Sequence, residues 1–154
     1  MNESGAHREE YGDTRFVEMA NRHQVISLAL KHGFNAFLPL VDQGIDFILH
    51  READERTLKV QLKSRWTINR KYLHRGIHIA FPMHKASRAQ WYLAEHDGMV
   101  ELALATMVGK SASWLEKGKY SSAAGPPLAL RSELARWAIE EVLCAANVGS
   151  GPNA

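Results

Sequence analysis

The sequence predicts a single α/β domain, because helical and strand patterns follow one another within a chain of one-domain length. The chain has 154 residues, of which 45% are hydrophobic, enough to form one buried core. Apolar residues recur every three or four positions before Gly33, which is typical of an amphipathic helix. After Gly33 every second residue is apolar, which is typical of strands, and an apolar stripe near the C-terminus predicts a closing helix.

The first helix is predicted to begin at Thr14 and to stop at Gly33. Threonine is a good N-cap, and glycine favours the left-handed backbone that ends helices. The predicted apolar stripe of this helix has spacings of three and four: Phe16, Met19, His23, Ile26 and Leu30. We expect residues 1–13 to be a flexible leader and residues 149–154 a flexible tail, because both are polar and lack apolar periodicity. The folded domain then spans residues 14–148.

A β-hairpin is predicted in the middle of the chain, after a short strand that begins at Asn35 and ends at Pro39. Its first strand starts at Ile45 and alternates, with three apolar residues on one face: Ile45, Phe47 and Leu49. Its second strand covers residues 57–63 and directs Leu58, Val60 and Leu62 inward. The opposite face of that strand carries Lys59, Gln61 and Lys63. Residues 53–56 are predicted to form the turn.

The remaining elements follow less regular patterns. Strands are predicted over residues 77–81 and 90–94, with a loop over residues 82–88. Residues 100–107 fit either a strand or a helix, and residues 114–127, rich in Gly, Ser and Pro, are expected to be irregular. A last helix is predicted to open at Ser132, with an apolar stripe of four residues: Leu134, Ala138, Val142 and Ala145.

The cysteine content, the apolar runs and the N-terminal sequence argue against a disulfide-bonded, secreted or membrane-spanning protein. The net charge of +2 names no partner by itself. The single cysteine, Cys144, excludes a disulfide within the chain, suits a reducing cytoplasm and is expected to be a buried thiol. No apolar run approaches the roughly 20 residues of a membrane span, and the N-terminus lacks the pattern of a signal peptide. We therefore expect a cytoplasmic protein without a membrane partner.

The basic residues are unevenly distributed. Residues 59–94 contain no Asp or Glu but eight of the nineteen basic residues, whereas the rest of the chain has eleven basic and seventeen acidic residues. Clustered Lys and Arg can neutralise phosphates, so this basic window predicts either a surface that binds nucleic acid or a solvated basic face. Four aromatic residues lie in the same window: Trp66, Tyr72, Trp91 and Tyr92. They would either stack on unpaired bases or pack in the core beneath a solvated basic face.

The polar face of the hairpin carries a candidate catalytic site. Asp46 lies on one strand and Gln61 and Lys63 on the other, so their side chains can converge. A carboxylate beside a second oxygen ligand suits Mg²⁺. A lysine two residues further along can orient or deprotonate an attacking water, or offset charge in the transition state. The alternative is an ordinary polar face of a hairpin.

Three segments together resemble the PD-(D/E)XK nuclease superfamily: Lys31-His32-Gly33-Phe34, then Pro39-Leu40-Val41-Asp42-Gln43-Gly44-Ile45-Asp46-Phe47, then Val60-Gln61-Leu62-Lys63-Ser64-Arg65. The resemblance covers roughly residues 14–94 and is to small domains akin to archaeal Holliday junction resolvases and to restriction endonucleases. It implies a restriction-endonuclease-like fold, with a central mixed β-sheet flanked by helices. It also implies an enzyme that cuts DNA phosphodiester bonds with Mg²⁺ or Mn²⁺.

The resemblance assigns roles to particular residues. Asp46 matches the metal-binding aspartate, Lys63 matches the motif lysine, and Gln61 stands where Asp or Glu is usual. The amide oxygen of glutamine can ligate a cation but brings no charge, so metal affinity should be weaker. Many relatives place a glutamate on the first helix, where this chain reads Asn21-Arg22-His23. Glu18, on nearly the same helical face as Arg22, is the substitute candidate for metal binding.

Residues on and after the second hairpin strand are candidates for phosphate binding: Ser64, Arg65, Arg70, Lys71, Lys85 and Arg88. Asp42 is expected to be a turn residue. The eight histidines have no spacing typical of a transition-metal site.

Three functions stay open at this point. The first is a Mg²⁺-dependent endodeoxyribonuclease, with no appended recognition domain and hence a preference for DNA structure over a long sequence. The second is a nucleic-acid-binding module that keeps the fold but has lost cutting, as Gln61 and the missing helix glutamate suggest. The third is a structural protein that dimerises through the last helix. A homodimer would also suit a nuclease, because a two-fold axis can present two sites to two strands.

Overall fold

The computed structural model describes residues 14–84 and 87–147 and confirms an α/β fold. The strands are β1 (Asn35–Phe37), β2 (Phe47–Arg51), β3 (Arg56–Leu62), β4 (Trp66–Asn69), β5 (Ile77–His84), β6 (Ser87–Glu95) and β7 (Lys119–Ser122). The helices are α1 (Thr14–Lys31), α2 (His96–Leu104), α3 (Ala112–Lys117), α4 (Leu134–Trp137) and α5 (Ile139–Cys144). The leader predicted over residues 1–13 and the tail predicted over residues 149–154 lie outside the described residues.

The central sheet has five strands in the order β1-β2-β3-β5-β6, and β4 pairs with β7 in a separate two-stranded sheet. Neighbouring strands of the central sheet are antiparallel except β3 and β5, which are parallel, so the sheet is mixed. The predicted hairpin is confirmed as β2 and β3, with Phe47 opposite Val60 and Ile48 opposite Lys59. A short 3-10 helix, Glu52–Asp54, forms its turn.

Helices cover both faces of the central sheet. One face packs on α1 and α5 and carries a cluster that includes Val25, Ala29, Phe47, Leu49, Val60, Leu93, Ile139 and Leu143. The other face packs on α2, α3, α4 and the β4–β7 pair, with a cluster that includes Trp66, Ile68, Ile79, Phe81, Met99, Trp114 and Trp137. Because successive residues of a strand point to opposite faces, Val60 lies in the first cluster while Gln61 projects the other way.

The buried face of α1 differs from the predicted stripe. Phe16, Met19 and Leu30 are exposed, and the buried residues are spaced by four: Asn21, Val25 and Ala29. Val25 and Ala29 belong to the core cluster on this face of the sheet. The predicted stop is confirmed, since α1 ends at Lys31 and Gly33 follows with a positive φ of 81°. The N-cap role of Thr14 stays a prediction, because the described residues begin with Thr14 already in the helix.

The second half of the chain is more regular than predicted. β5 runs to His84 and β6 begins at Ser87, so the loop expected over residues 82–88 is wrong. The segment over residues 114–127, expected to be irregular, contains most of α3 and all of β7. The first strand is shorter than predicted and ends at Phe37.

The last helix is not continuous. A 3-10 helix, Leu128–Glu133, leads into α4, and Ala138 then leaves the helical path to form a β-bridge with Tyr92 before α5 begins. The buried residues of α4 and α5 are Trp137, Ile139 and Leu143, so the predicted stripe is wrong. Its members Leu134 and Val142 are partly buried against the two core clusters, so these two side chains pack within the protein.

The aromatic residues of the basic window lie in the core. Trp66, Tyr72 and Trp91 are at most 1% exposed, and Tyr92 stacks on Phe81 with ring centroids 5.6 Å apart. The interpretation of these residues as core rather than as base-stacking groups is therefore confirmed.

Two other expectations concern Cys144 and membranes. Cys144 is exposed at the end of α5, so the expectation of a buried thiol is wrong. Within the described ranges no helix is both long enough and apolar enough to cross a bilayer.

Acid should destabilise the protein through His78 on β5. Burial lowers the pKa of His78 from 6.5 to about 4, an effect that nearby Arg56 increases and Glu95 opposes. The unfolded chain therefore binds a proton that the folded protein does not. The stabilisation is complete above about pH 6.5 and falls by up to about 3 kcal/mol as the pH approaches 4. Urea unfolding at a series of pH values measures this loss.

Two variants isolate the contribution of His78. We expect His78→Leu to flatten the pH dependence of the free energy of unfolding. The same change at His23, exposed on α1, should leave that dependence as it is. Equal slopes in the wild type and His78→Leu would contradict this assignment.

Candidate functional site

The residues predicted for the metal centre line one cleft where α1 meets the end of the β2–β3 hairpin. The cleft has a volume of about 360 Å³. Its lining residues come from α1, from the turn before β2 and from the end of β3: Glu18, Asn21, Arg22, Asp42, Asp46, Gln61, Leu62, Lys63 and Ser64. Three of them are acidic and two are basic. The structure therefore brings Asp46, Gln61, Lys63 and Glu18 together.

Asp46 is held by the backbone of the neighbouring strand. Its N–H donates to the carbonyl of Val60 at 2.8 Å, which extends the β2–β3 pairing by one residue. Its Oδ2 accepts a 2.6 Å hydrogen bond from the N–H of Leu62. Among the described residues Oδ1 has no hydrogen-bond donor. The carboxylate is thus fixed in direction while one oxygen stays free for a ligand.

Gln61 is buried beside this carboxylate, with 8% of its surface exposed. Its Nε2 donates to the carbonyl of Leu62 at 3.3 Å. Its Oε1 is buried and finds no hydrogen-bond donor in the part of the chain that the structure describes. A buried oxygen without a partner is costly, and a water or a cation is the usual occupant beside such an atom.

Lys63 follows β3 and is placed by both its backbone and its side chain. Its N–H donates to the carbonyl of Ala80 at 2.8 Å, which continues the parallel pairing with β5. Its Nζ lies 5.4 Å from the centroid of the Tyr72 ring, within the range of a cation–π interaction. The ammonium group therefore lies beside a buried aromatic ring.

The ring of Tyr72 is itself supported by a buried histidine. His96, fully buried, meets Tyr72 edge-on with ring centroids 5.6 Å apart. The Nε2 atom of His96 accepts a hydrogen bond from the N–H of Asn69 at 3.2 Å. Burial lowers the pKa of His96, and this keeps the ring neutral and able to accept that bond. The 3-10 turn over Arg70–Tyr72 is thus tied to α2.

The turn that precedes Asp46 depends on Asp42 and Gly44. The Oδ1 atom of Asp42 accepts a 2.8 Å hydrogen bond from the N–H of Gly44, as expected of a turn residue. Gly44 has a φ of 84°, and a Cβ there would lie 3.0 Å from Arg75 Nη1 and 3.1 Å from Tyr72 Cε1. Glycine therefore lets Tyr72 and Arg75 close over the turn.

The predicted phosphate-binding residues divide into three groups. Ser64 lines the cleft. Lys71 lines a second, adjacent cleft, which lies between the turn before β2 and the segment that links β4 to β5. Neither Arg65 nor Arg70 lines these two clefts, and the guanidinium of Arg70 lies 4.9 Å from the ring centroid of Trp114 instead. Lys85 and the side chain of Arg88 lie outside the described residues.

The structure adds three residues to which the sequence assigned no role. Asn21 and Arg22 line the cleft from α1, and Arg75 lines the second cleft. The signal for the first two is helical spacing, because positions three and four after Glu18 share its face. Arg75 lies at the cleft because it contacts the turn at Gly44, which is 31 residues earlier in the chain. No local sequence pattern predicts this contact.

The donors in the cleft are oxygen atoms, which suit a hard divalent cation such as Mg²⁺. The fixed Asp46 carboxylate and the unpartnered Gln61 oxygen would provide two of them. Within residues 14–84 and 87–147 no group of three or more His, Cys, Asp or Glu side chains is placed to hold a metal ion.

Comparison with known proteins gives no match: no family model fits the chain, and neither a curated protein nor a solved structure matches it. The geometry of the cleft is therefore the basis for a functional assignment.

Proposed function

We propose that this protein is a metal-dependent endodeoxyribonuclease with a restriction-endonuclease-like fold. The observation that carries the proposal is the convergence of Asp46, Gln61 and Lys63 in one cleft beside α1. Asp46 and Gln61 bring oxygen donors, and Lys63, two residues after Gln61 and directly beyond the end of β3, brings a cation. These are the groups that phosphodiester hydrolysis needs at one point: metal ligands and a positive charge near the attacking water.

Asp46, Gln61 and Glu18 are the proposed ligands of Mg²⁺ or Mn²⁺. The ion would act as a Lewis acid on the scissile phosphate. Asp46 contributes the charge, and its hydrogen bond from Leu62 holds the carboxylate in place before substrate arrives. Gln61 contributes its Oε1 atom, which has no hydrogen-bond partner among the described residues.

Lys63 and Arg22 are the proposed cationic groups of the reaction. Lys63 orients the attacking water and offsets the negative charge that develops on the phosphate. Arg22 lies on the α1 side of the same cleft and can bind a phosphate oxygen. Together they place positive charge on both sides of the substrate.

The test is cleavage of supercoiled, linear, single-stranded and four-way-junction DNA, with Mg²⁺, with Mn²⁺ and with EDTA. We expect cutting only when metal is present, and the preferred DNA will identify the substrate. No cutting of any of these DNAs would overturn the proposal.

A binding module without catalysis is the second candidate, favoured by the two amides, Asn21 and Gln61, in the cleft. It predicts DNA binding that weakens steeply with salt and no cutting with either metal. Lack of DNA binding at low salt would contradict both candidates.

Restoring a carboxylate at position 61 should strengthen metal binding. We expect Gln61→Glu to lower the metal concentration for half-maximal cleavage by roughly ten-fold, because a further negative charge joins those of Asp46 and Glu18. A metal titration of the cleavage rate measures the change. If the half-maximal concentration stays the same or rises, Gln61 is not a metal ligand.

Gln90→Glu on β6 is a matched control. The Nε2 atom of Gln90 also donates to the carbonyl of the next residue, Trp91, at 2.9 Å. Gln90 does not line the cleft, so its replacement should leave the metal titration unchanged.

A further inference from the structure

A second cleft continues the first one toward the basic window. Its volume is about 450 Å³, and it shares Asp42, Gln61 and Lys63 with the candidate catalytic cleft. The other lining residues come from the turn before β2 and from the segment between β4 and β5: Gln43, Gly44, Lys71, Tyr72 and Arg75. The two clefts thus meet at the proposed catalytic residues.

Three cations surround this second cleft, and the fold holds them there. The Nη2 atom of Arg75 donates to the carbonyl of Gln43. The ammonium groups of Lys63 and Lys71 lie 5.4 Å and 4.9 Å from the centroid of the buried Tyr72 ring. Fixed side chains lose less entropy when they bind a ligand than mobile surface lysines do.

The charges of these three residues have no ion-pair partner in the part of the chain that the structure describes. Asp42 is the one acid among the lining residues, and its Oδ1 is already an acceptor for Gly44. Like charges gathered at one point repel each other, so the arrangement favours an anion between them.

We propose that the second cleft binds the phosphate next to the one that is cut, through Arg75 and Lys71. This proposal rests on the proposed nuclease function and defines its substrate class as a polynucleotide strand, not an isolated phosphodiester. The strand lies along both clefts, with the scissile phosphate at Asp46 and Lys63. Arg75 is a binding residue whose planar guanidinium can donate to two phosphate oxygens.

The test uses DNA oligonucleotides in which one phosphate at a time is replaced by a neutral methylphosphonate. In the wild type we expect cleavage of a bond adjacent to the neutral position to fall by roughly ten-fold, the size of one charged hydrogen bond. Arg75→Ala should lose that sensitivity and should raise KM more than it lowers kcat. Arg75→Lys should retain part of it, which separates loss of charge from loss of fold.

Arg131→Ala is the matched control. Its Nη2 also donates to a loop carbonyl, that of Ala124, but Arg131 lines neither of the two clefts. Arg131→Ala should respond to the neutral phosphate as the wild type does. The proposal is overturned if neighbouring methylphosphonates leave wild-type cleavage unchanged, or if Arg75→Ala keeps the full sensitivity.

The proposed phosphate site can be tested separately if the protein does not cut DNA. If the wild type cuts no DNA, its affinity for the same oligonucleotides in EDTA decides the role of the second cleft. Arg75→Ala should then reduce the slope of log affinity against log salt by about one, and Arg131→Ala should not. An unchanged slope in Arg75→Ala would overturn the phosphate site.

Discussion

Replacing Asp46 with asparagine should reduce metal-dependent DNA cleavage by roughly 10³-fold, because the amide removes a charge that a backbone hydrogen bond holds at the metal site. The asparagine oxygen can still accept the hydrogen bond that Leu62 donates at 2.6 Å, so the fold should persist. Single-turnover cleavage with Mg²⁺ measures the loss. Calorimetric titration with Mn²⁺ should show weaker metal binding, and thermal unfolding should show a similar midpoint.

The control for Asp46→Asn is Glu101→Gln on α2, an exposed acid that does not line either cleft. It removes the same charge from the whole protein and should leave the cleavage rate unchanged. Cutting by Asp46→Asn at the wild-type rate would contradict the assignment of Asp46 as the metal-binding carboxylate.

Replacing Lys63 with alanine should reduce cleavage by a similar factor, roughly 10³-fold, while metal binding persists. The difference follows from chemistry, since an ammonium group acts on water and phosphate and does not bind the cation. Loss of cutting in both variants, with loss of metal binding in only one, would separate the two roles. Lys63→Arg should restore part of the rate, because it keeps the charge.

Lys59 provides the control for Lys63. It lies four residues earlier on the same face of β3 but does not line either cleft. Lys59→Ala should therefore cut DNA at the wild-type rate. If Lys59→Ala and Lys63→Ala reduce cutting equally, the effect is one of overall charge on DNA binding and not of catalysis.

The sequence was sufficient to predict the part of the fold that positions the site. The alternation of side chains along β2 and β3 is a local property. It places Gln61 and Lys63 on the face opposite Val60, independently of how the rest of the chain folds. Helical spacing likewise places Glu18 and Arg22 on nearly the same face of α1, and both residues line the cleft. These predictions depend on the geometry of single elements.

Features that depend on contacts between distant elements cannot be predicted from the periodicity of a single helix or strand. Helix α1 has apolar residues on more than one face, and the face that it buries carries Asn21, Val25 and Ala29 instead of the predicted stripe. The break at Ala138 follows from its bridge to Tyr92 on β6, which no pattern within the last helix encodes. Arg75 reaches the cleft through the turn at Gly44, and only the folded chain reveals that contact.

The central claim is that the cleft around Asp46 and Lys63 cuts phosphodiester bonds. It is tested most directly by incubating end-labelled DNA with the wild type, Asp46→Asn and Lys63→Ala, purified in parallel, with Mg²⁺ or Mn²⁺. We predict cleavage by the wild type that EDTA abolishes and that neither variant supports. Absence of wild-type cleavage, or equal cleavage by all three proteins, would contradict the claim.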